Sequence, residues 1–89
     1  MKNLKKPSRI FVFDEEGLKL LALQLKALRA QKGFTQESLA YEADITLSQI
    51  ARIETVKANP TVSTMFKIAR TLNVPPALLF DFKLSNKTK

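Results

Sequence analysis

The sequence predicts an all-α protein of five helices, and three features carry that expectation. Leu18, Leu21, Leu25 and Leu28 recur at spacings of three and four, which draws one apolar stripe on a helix. Val62, Met65, Ala69 and Leu72, with Ile68 beside them, repeat the pattern further on. Between these stretches threonines stand where N-caps belong, Thr35 ahead of a helix from Gln36 to about Ala43 and Thr46 ahead of one from Leu47 to about Thr55.

Taken in order, Asp14, Glu15 and Glu16 sit where the positive end of the first helix dipole attracts carboxylates. Lys32 lies in that helix's last turn and Gly33 is its stop. Leu39, Ala40 and Ala43 form the inner face of the second helix, and Asp44-Ile45 makes a tight turn. Thr46 and Gln49 have capping-box spacing at the start of the third, where each side chain can satisfy the other's backbone amide. Ile50 and Ile53 are expected to point inward, with Leu47, Ser48 and Arg52 pointing the other way. Val56 to Pro60 reads as a loop carrying Lys57 and Asn59. A fourth helix runs from about Val62 to Leu72 and ends at Asn73, which tolerates a left-handed backbone. Pro75-Pro76 opens a last short helix through Phe80. The expected domain spans residues 17–81, after a basic and apolar arm (1–16) and before a basic tail (82–89) that frays.

Composition narrows the function. The 89 residues make one domain, and 45% apolar content suffices for a modest core of the kind that often gains from pairing with a copy of itself. Without cysteine or histidine there is no disulfide, no thiolate or imidazole metal site and no imidazole base, so no metal or cofactor is expected. Catalysis would rest on carboxylates and hydroxyls in no recognisable motif, so an enzyme is not expected. A net charge of +7 attracts polyanions, nucleic acid or an anionic membrane surface alike. The apolar runs are too short to span a membrane, and Ile10 to Phe13 is too short for a secretory core, so the expected location is the cytoplasm.

Two short helices joined by a tight turn, the second presenting polar residues outward, are helix-turn-helix geometry, because the DNA major groove admits one helix while the preceding one braces it. The stretch TQESLAYEADITLSQIARIE, flanked by LKALRAQKGF, ANPTVSTMFKIARTLNV and ALLF, resembles the xenobiotic-response-element and Cro/C1-repressor family over about Leu18 to Phe80. The resemblance implies a compact, lambda-repressor-like five-helix bundle that binds double-stranded DNA with the helix at 47–55 in the major groove. It assigns base contacts to Thr46, Leu47, Ser48, Gln49 and Arg52, and phosphate contacts to Gln36, Lys57 and Asn59. It also pairs Arg29 with Glu54, tying the first helix to the end of the third. Chemistry agrees in part: the Arg52 fork fits the two acceptors of guanine, and Gln36 opens a helix, where phosphates bind. Each assignment has a plainer counterpart, namely the capping box for Gln49, an ordinary polar loop for Lys57 and Asn59, and two solvated charges for Arg29 and Glu54.

The sequence departs from the family pattern in two places. Asp44 stands where the turn commonly carries glycine, and aspartate still reaches the left-handed conformation. Thr55-Val56 replaces a small residue and glycine, and since valine disfavours positive φ, the end of the third helix is expected to be shaped differently.

At the ends, Lys2, Lys5, Lys6 and Arg9 could track DNA, and Ile10 to Phe13 could pair with a second subunit or pack over the bundle. The expectation is packing for that apolar run and disorder for the rest of the arm. In the resembling repressors the last helix supplies the dimer contact, which here implies Leu78, Phe80 and Phe82, with Leu78 exposed, and hence a homodimer on a palindromic operator. The leading expectation is a sequence-specific transcriptional regulator, whether a phage-type repressor, a restriction-modification controller or the antitoxin of a toxin-antitoxin pair with a toxin or other regulator as protein partner. The rival from another class is a protein-interaction module that has lost DNA binding; no membrane partner is expected.

Overall fold

In the computed structural model, which describes residues 13–86, all the regular structure among those residues is α-helical: α1 (Glu15–Gln31), α2 (Gln36–Ala43), α3 (Leu47–Glu54), α4 (Val62–Leu72) and α5 (Pro76–Leu79). The basic residues of the arm and Ile10 to Val12 lie outside the described residues. Each of the first four helices starts on a side-chain cap. Asp14, Thr35, Thr46 and Thr61 accept a hydrogen bond from the backbone N–H three residues on, at 3.0–3.1 Å. Capping boxes close reciprocally at Thr35 with Ser38 and, as the spacing predicts, at Thr46 with Gln49.

These four helices also end alike. Gly33, Asp44, Val56 and Asn73 all take positive φ, at 82°, 60°, 61° and 59°. In each case the next residue's N–H reaches back five positions: Phe34 to Arg29, Ile45 to Ala40, Lys57 to Arg52 and Val74 to Ala69, at 2.8–3.0 Å. That is the Schellman closure. After α1, α2 and α4 the residue donating that bond is apolar and packs on the core as Phe34, Ile45 and Val74. After α3 it is Lys57. The expectation of a different shape at Val56 is therefore corrected: the backbone keeps the left-handed closure and a β-branched residue carries it.

Leu21, Leu25, Leu28, Leu39, Ile50, Ile53, Met65, Ile68, Leu72 and Leu79 form the core, in which α1 and α2 both pack on α3, and α4 packs on α2 and α5. Val62, expected on the inner face of α4, is instead 65% exposed. It is the first residue of its helix, and a helical Cβ leans toward the N-terminus, so its side chain projects beyond the packed turns. At the other end, residues 82–86 do not splay away. Ser85 donates from its N–H and hydroxyl to the two Glu16 oxygens at 3.1 and 2.8 Å, and Phe82 packs on the core.

Candidate nucleic-acid interface

The third helix divides cleanly into two faces. Ile50, Ile53 and Glu54 are buried, while Thr46, Leu47, Ser48, Gln49 and Arg52 are all exposed, Ser48 and Arg52 directly opposite the buried set and the others around the first turn. The inner face is pinned by an ion pair that sequence reading located. Arg29 of α1 donates from Nε and Nη2 to the two carboxylate oxygens of Glu54 at 2.7 and 3.0 Å, and from Nη1 to the Phe34 carbonyl at 3.0 Å. The Glu54 side chain is 2% exposed. Its hydrogen bond raises the Arg29 pKa above the ordinary value, burial opposes this, and the charge of Glu54 adds to the rise. A buried carboxylate gripped by a fork-shaped donor has one comfortable geometry, so the angle at which α3 leaves the bundle is held by α1.

Gln36 joins the same node. Its Nε2 donates to Glu54 Oε1 at 2.8 Å, which commits one of the two N–H groups of the amide to the scaffold. The phosphate contact implied for Gln36 would therefore use its remaining donor.

On the outer face, Thr46 and Gln49 are turned on each other. Gln49 Oε1 accepts from the Thr46 N–H at 2.9 Å and lies 3.2 Å from the Thr46 hydroxyl. A bidentate approach to adenine needs that carbonyl, and here the cap holds it. Leu47, Ser48 and Arg52 are the more open members of the surface. Arg52 Nη2 donates to the Lys57 carbonyl at 2.7 Å, so the guanidinium braces the loop after α3 while keeping further N–H groups outward. Lys57 and Asn59 are both exposed on that loop. With Lys57 in the position after Val56, where the other helices place an apolar core residue, an ammonium takes the surface beside the helix end.

At the far end of the bundle Leu78 is less open than expected. Leu78 is half-buried and its carbonyl accepts from Gln24 Nε2 at 2.7 Å, whereas Phe80 is 49% exposed. The Phe80 and Phe82 rings lie against each other, 6.5 Å between centroids and tilted by 47°. Sequence reading missed Gln24 and the Ser85–Glu16 latch. Both join residues more than fifty positions apart, for which no local pattern exists.

Among the described residues no helix is long and apolar enough to cross a membrane, and no group of acidic residues is arranged to hold a metal.

Comparison with known proteins agrees with this geometry. A helix-turn-helix family model matches residues 25–79. The chain is 39% identical over 61 residues to the HTH-type transcriptional regulator SutR of Escherichia coli, a match covering 68% of this chain and 34% of that protein. The chain thus spans about a third of that relative's length. It is 36% identical over 59 residues to an HTH-type transcriptional regulator of Archaeoglobus fulgidus, covering 66% of this chain and 84% of the relative. The crystal structure of the restriction-modification controller protein C.AhdI from Aeromonas hydrophila superposes with a TM-score of 0.69 at 30% identity, over 71% of this chain and 96% of that one. The two-faced α3, the turn at Asp44 and these likenesses together place the chain in the Cro/C1-type helix-turn-helix family of DNA-binding transcription regulators.

Proposed function

We propose that this protein is a sequence-specific regulator that lays α3 in the major groove of double-stranded DNA and acts as a homodimer on a palindromic operator. The observation that carries the reading is the division of α3, an exposed reading face on a helix whose other face is locked by Glu54. Arg52 reads guanine, Leu47 offers an apolar contact to a thymine methyl, and Ser48 reads a base or a phosphate. Thr46 and Gln49 set the first turn of the helix against the groove, with the Gln49 amide donor still available. Lys57, Asn59 and the free donor of Gln36 hold phosphates on either side. Phe80 and Phe82, with the edge of Leu78, meet the second subunit, which sets the two reading helices about 34 Å apart. Similarity to the controller protein C.AhdI supports a regulator of the restriction-modification controller kind.

Selection of bound duplexes from a random pool, followed by anisotropy titration of the winner at several salt concentrations, tests the reading. The expected result is a palindrome with half-sites about one turn apart, whose preference over scrambled DNA falls about 5- to 150-fold in Arg52→Ala. A steep salt dependence with no enriched sequence would reduce the interaction to charge alone and sink the proposal.

A further inference from the structure

Two of the four Schellman closures carry the same reciprocal pair of bonds. Where α1 ends, the Phe34 N–H donates to the Arg29 carbonyl at 3.0 Å, and Arg29 Nη1 donates back to the Phe34 carbonyl at 3.0 Å. Where α3 ends, the Lys57 N–H donates to the Arg52 carbonyl at 2.8 Å, and Arg52 Nη2 donates back to the Lys57 carbonyl at 2.7 Å. In each pair the residues stand five positions apart, and the left-handed step just before the second, at Gly33 or Val56, turns its carbonyl alongside the arginine. The matching closures after α2 and α4 begin at Ala40 and Ala69, whose side chains have no donor to return.

Arg29 shows what this arrangement does for a guanidinium. With Nη1 held by a backbone carbonyl, Nε and Nη2 form a two-donor edge that grips both oxygens of Glu54, at 2.7 and 3.0 Å. Arg52 is tied in the same manner on an exposed surface, and the Lys57 carbonyl is its only side-chain partner among the described residues. A guanidinium carries five N–H groups in one fixed plane, so a single bond from Nη2 still leaves a complete two-donor edge. An exposed arginine ordinarily samples many rotamers and loses that freedom when it binds. At Arg52 the fold has removed much of that freedom in advance.

We infer that Lys57 is a positioning residue, whose backbone carbonyl, turned into place by left-handed Val56, aims the Arg52 fork and sharpens the distinction between guanine and the other bases. This rests on the proposed reading of DNA by α3. It separates two roles within one residue, since the Lys57 ammonium serves phosphate and its carbonyl serves the neighbouring side chain.

The test replaces Ala58 by lactic acid in the full 89-residue chain, made by chemical synthesis. The Lys57–Ala58 amide becomes an ester, whose carbonyl is a weaker acceptor, and every side chain is kept. The Ala58 N–H that is lost has no hydrogen-bond partner among the described residues. Anisotropy titrations then compare three duplexes: the selected one, the same one with adenine in place of the guanine whose preference Arg52→Ala abolishes, and a scrambled one. The expected result is a guanine preference reduced about 2- to 10-fold in the ester, with affinity for scrambled DNA and the urea midpoint unchanged. In the free proteins, nitrogen-15 relaxation at Arg52 Nε should report an ordered side chain in the parent and a more mobile one in the ester. An undiminished guanine preference in the ester would overturn the inference, as would an Arg52 Nε already mobile in the parent. An equal loss on all three duplexes would give the fork to a phosphate and overturn it too. If selection yields no operator, the reading of DNA falls and takes the base discrimination with it, while relaxation still decides whether the carbonyl orders Arg52.

Discussion

Val56 offers a sharp test because the sign of the effect depends on one dihedral angle. Its φ is 61°, and it closes α3 by the same bonds that glycine, aspartate and asparagine supply elsewhere in this chain. For an L-residue the left-handed conformation costs about 1–2 kcal/mol. Glycine escapes that cost but loses more backbone entropy on folding, about 0.5–1 kcal/mol relative to alanine. Comparing Val56→Gly with Val56→Ala removes the half-buried valine methyls from both sides of the comparison. The difference that remains leaves glycine ahead of alanine by about 0.5–1 kcal/mol. In a right-handed conformation the order would invert by a similar amount. Urea unfolding with a slope of about 1 kcal/mol per molar would read this as a midpoint about 0.5–1 M higher for Val56→Gly, with the slope itself unchanged. A higher midpoint for Val56→Ala would refute the left-handed closure of α3, and with it the account of how Lys57 reaches the surface.

Three further outcomes follow from the geometry. Arg29→Ala strands the buried Glu54 carboxylate and should lower stability by about 3 kcal/mol in urea unfolding, whereas Arg29→Met combined with Glu54→Leu should recover most of the loss. Lys57→Ala should weaken binding about equally for selected and scrambled duplexes, and should reduce the slope of log affinity against log salt by about 1; a loss confined to the selected duplex would mean Lys57 reads bases. Phe80→Lys should shift the monomer–dimer midpoint in sedimentation to higher protein concentration with little change in monomer unfolding, because the ring is half exposed already.

The chemistry of single residues and their near neighbours was legible in the sequence. Thr35 and Thr46 as caps, Gly33, Asp44 and Asn73 as left-handed stops, and the inward isoleucines of α3 all depend on interactions within one turn, which local spacing encodes. Val56 shows where that reading stops. Valine's own preference disfavours the conformation, but the bond from the Lys57 N–H to the Arg52 carbonyl at 2.8 Å and the Arg52 side chain on the Lys57 carbonyl at 2.7 Å hold the turn from both ends. Gln36 shows a second limit. Its place at the head of a helix points to phosphate, yet the carboxylate it meets is eighteen residues away. The Arg29–Glu54 pair, more distant still at twenty-five positions, was legible only through resemblance to a family, because no periodicity joins those positions.

The division of α3 also bears on how such a protein changes its target. Eight residues hold two independent sets: Ile50, Ile53 and Glu54 answer to the core, while Leu47, Ser48 and Arg52 answer to whatever lies outside. The outer set lies at exposed positions, where stability effects of substitution are usually within about 0.5 kcal/mol. Positions 47 and 48 can therefore drift through many side chains without passing through an unfolded protein. Position 52 is freer than a core residue but not wholly free, because its side chain also ties down the loop. If α3 reads DNA as proposed, new operators would be reachable by single steps at the first turn of the helix, with the last turn as the slower-moving anchor.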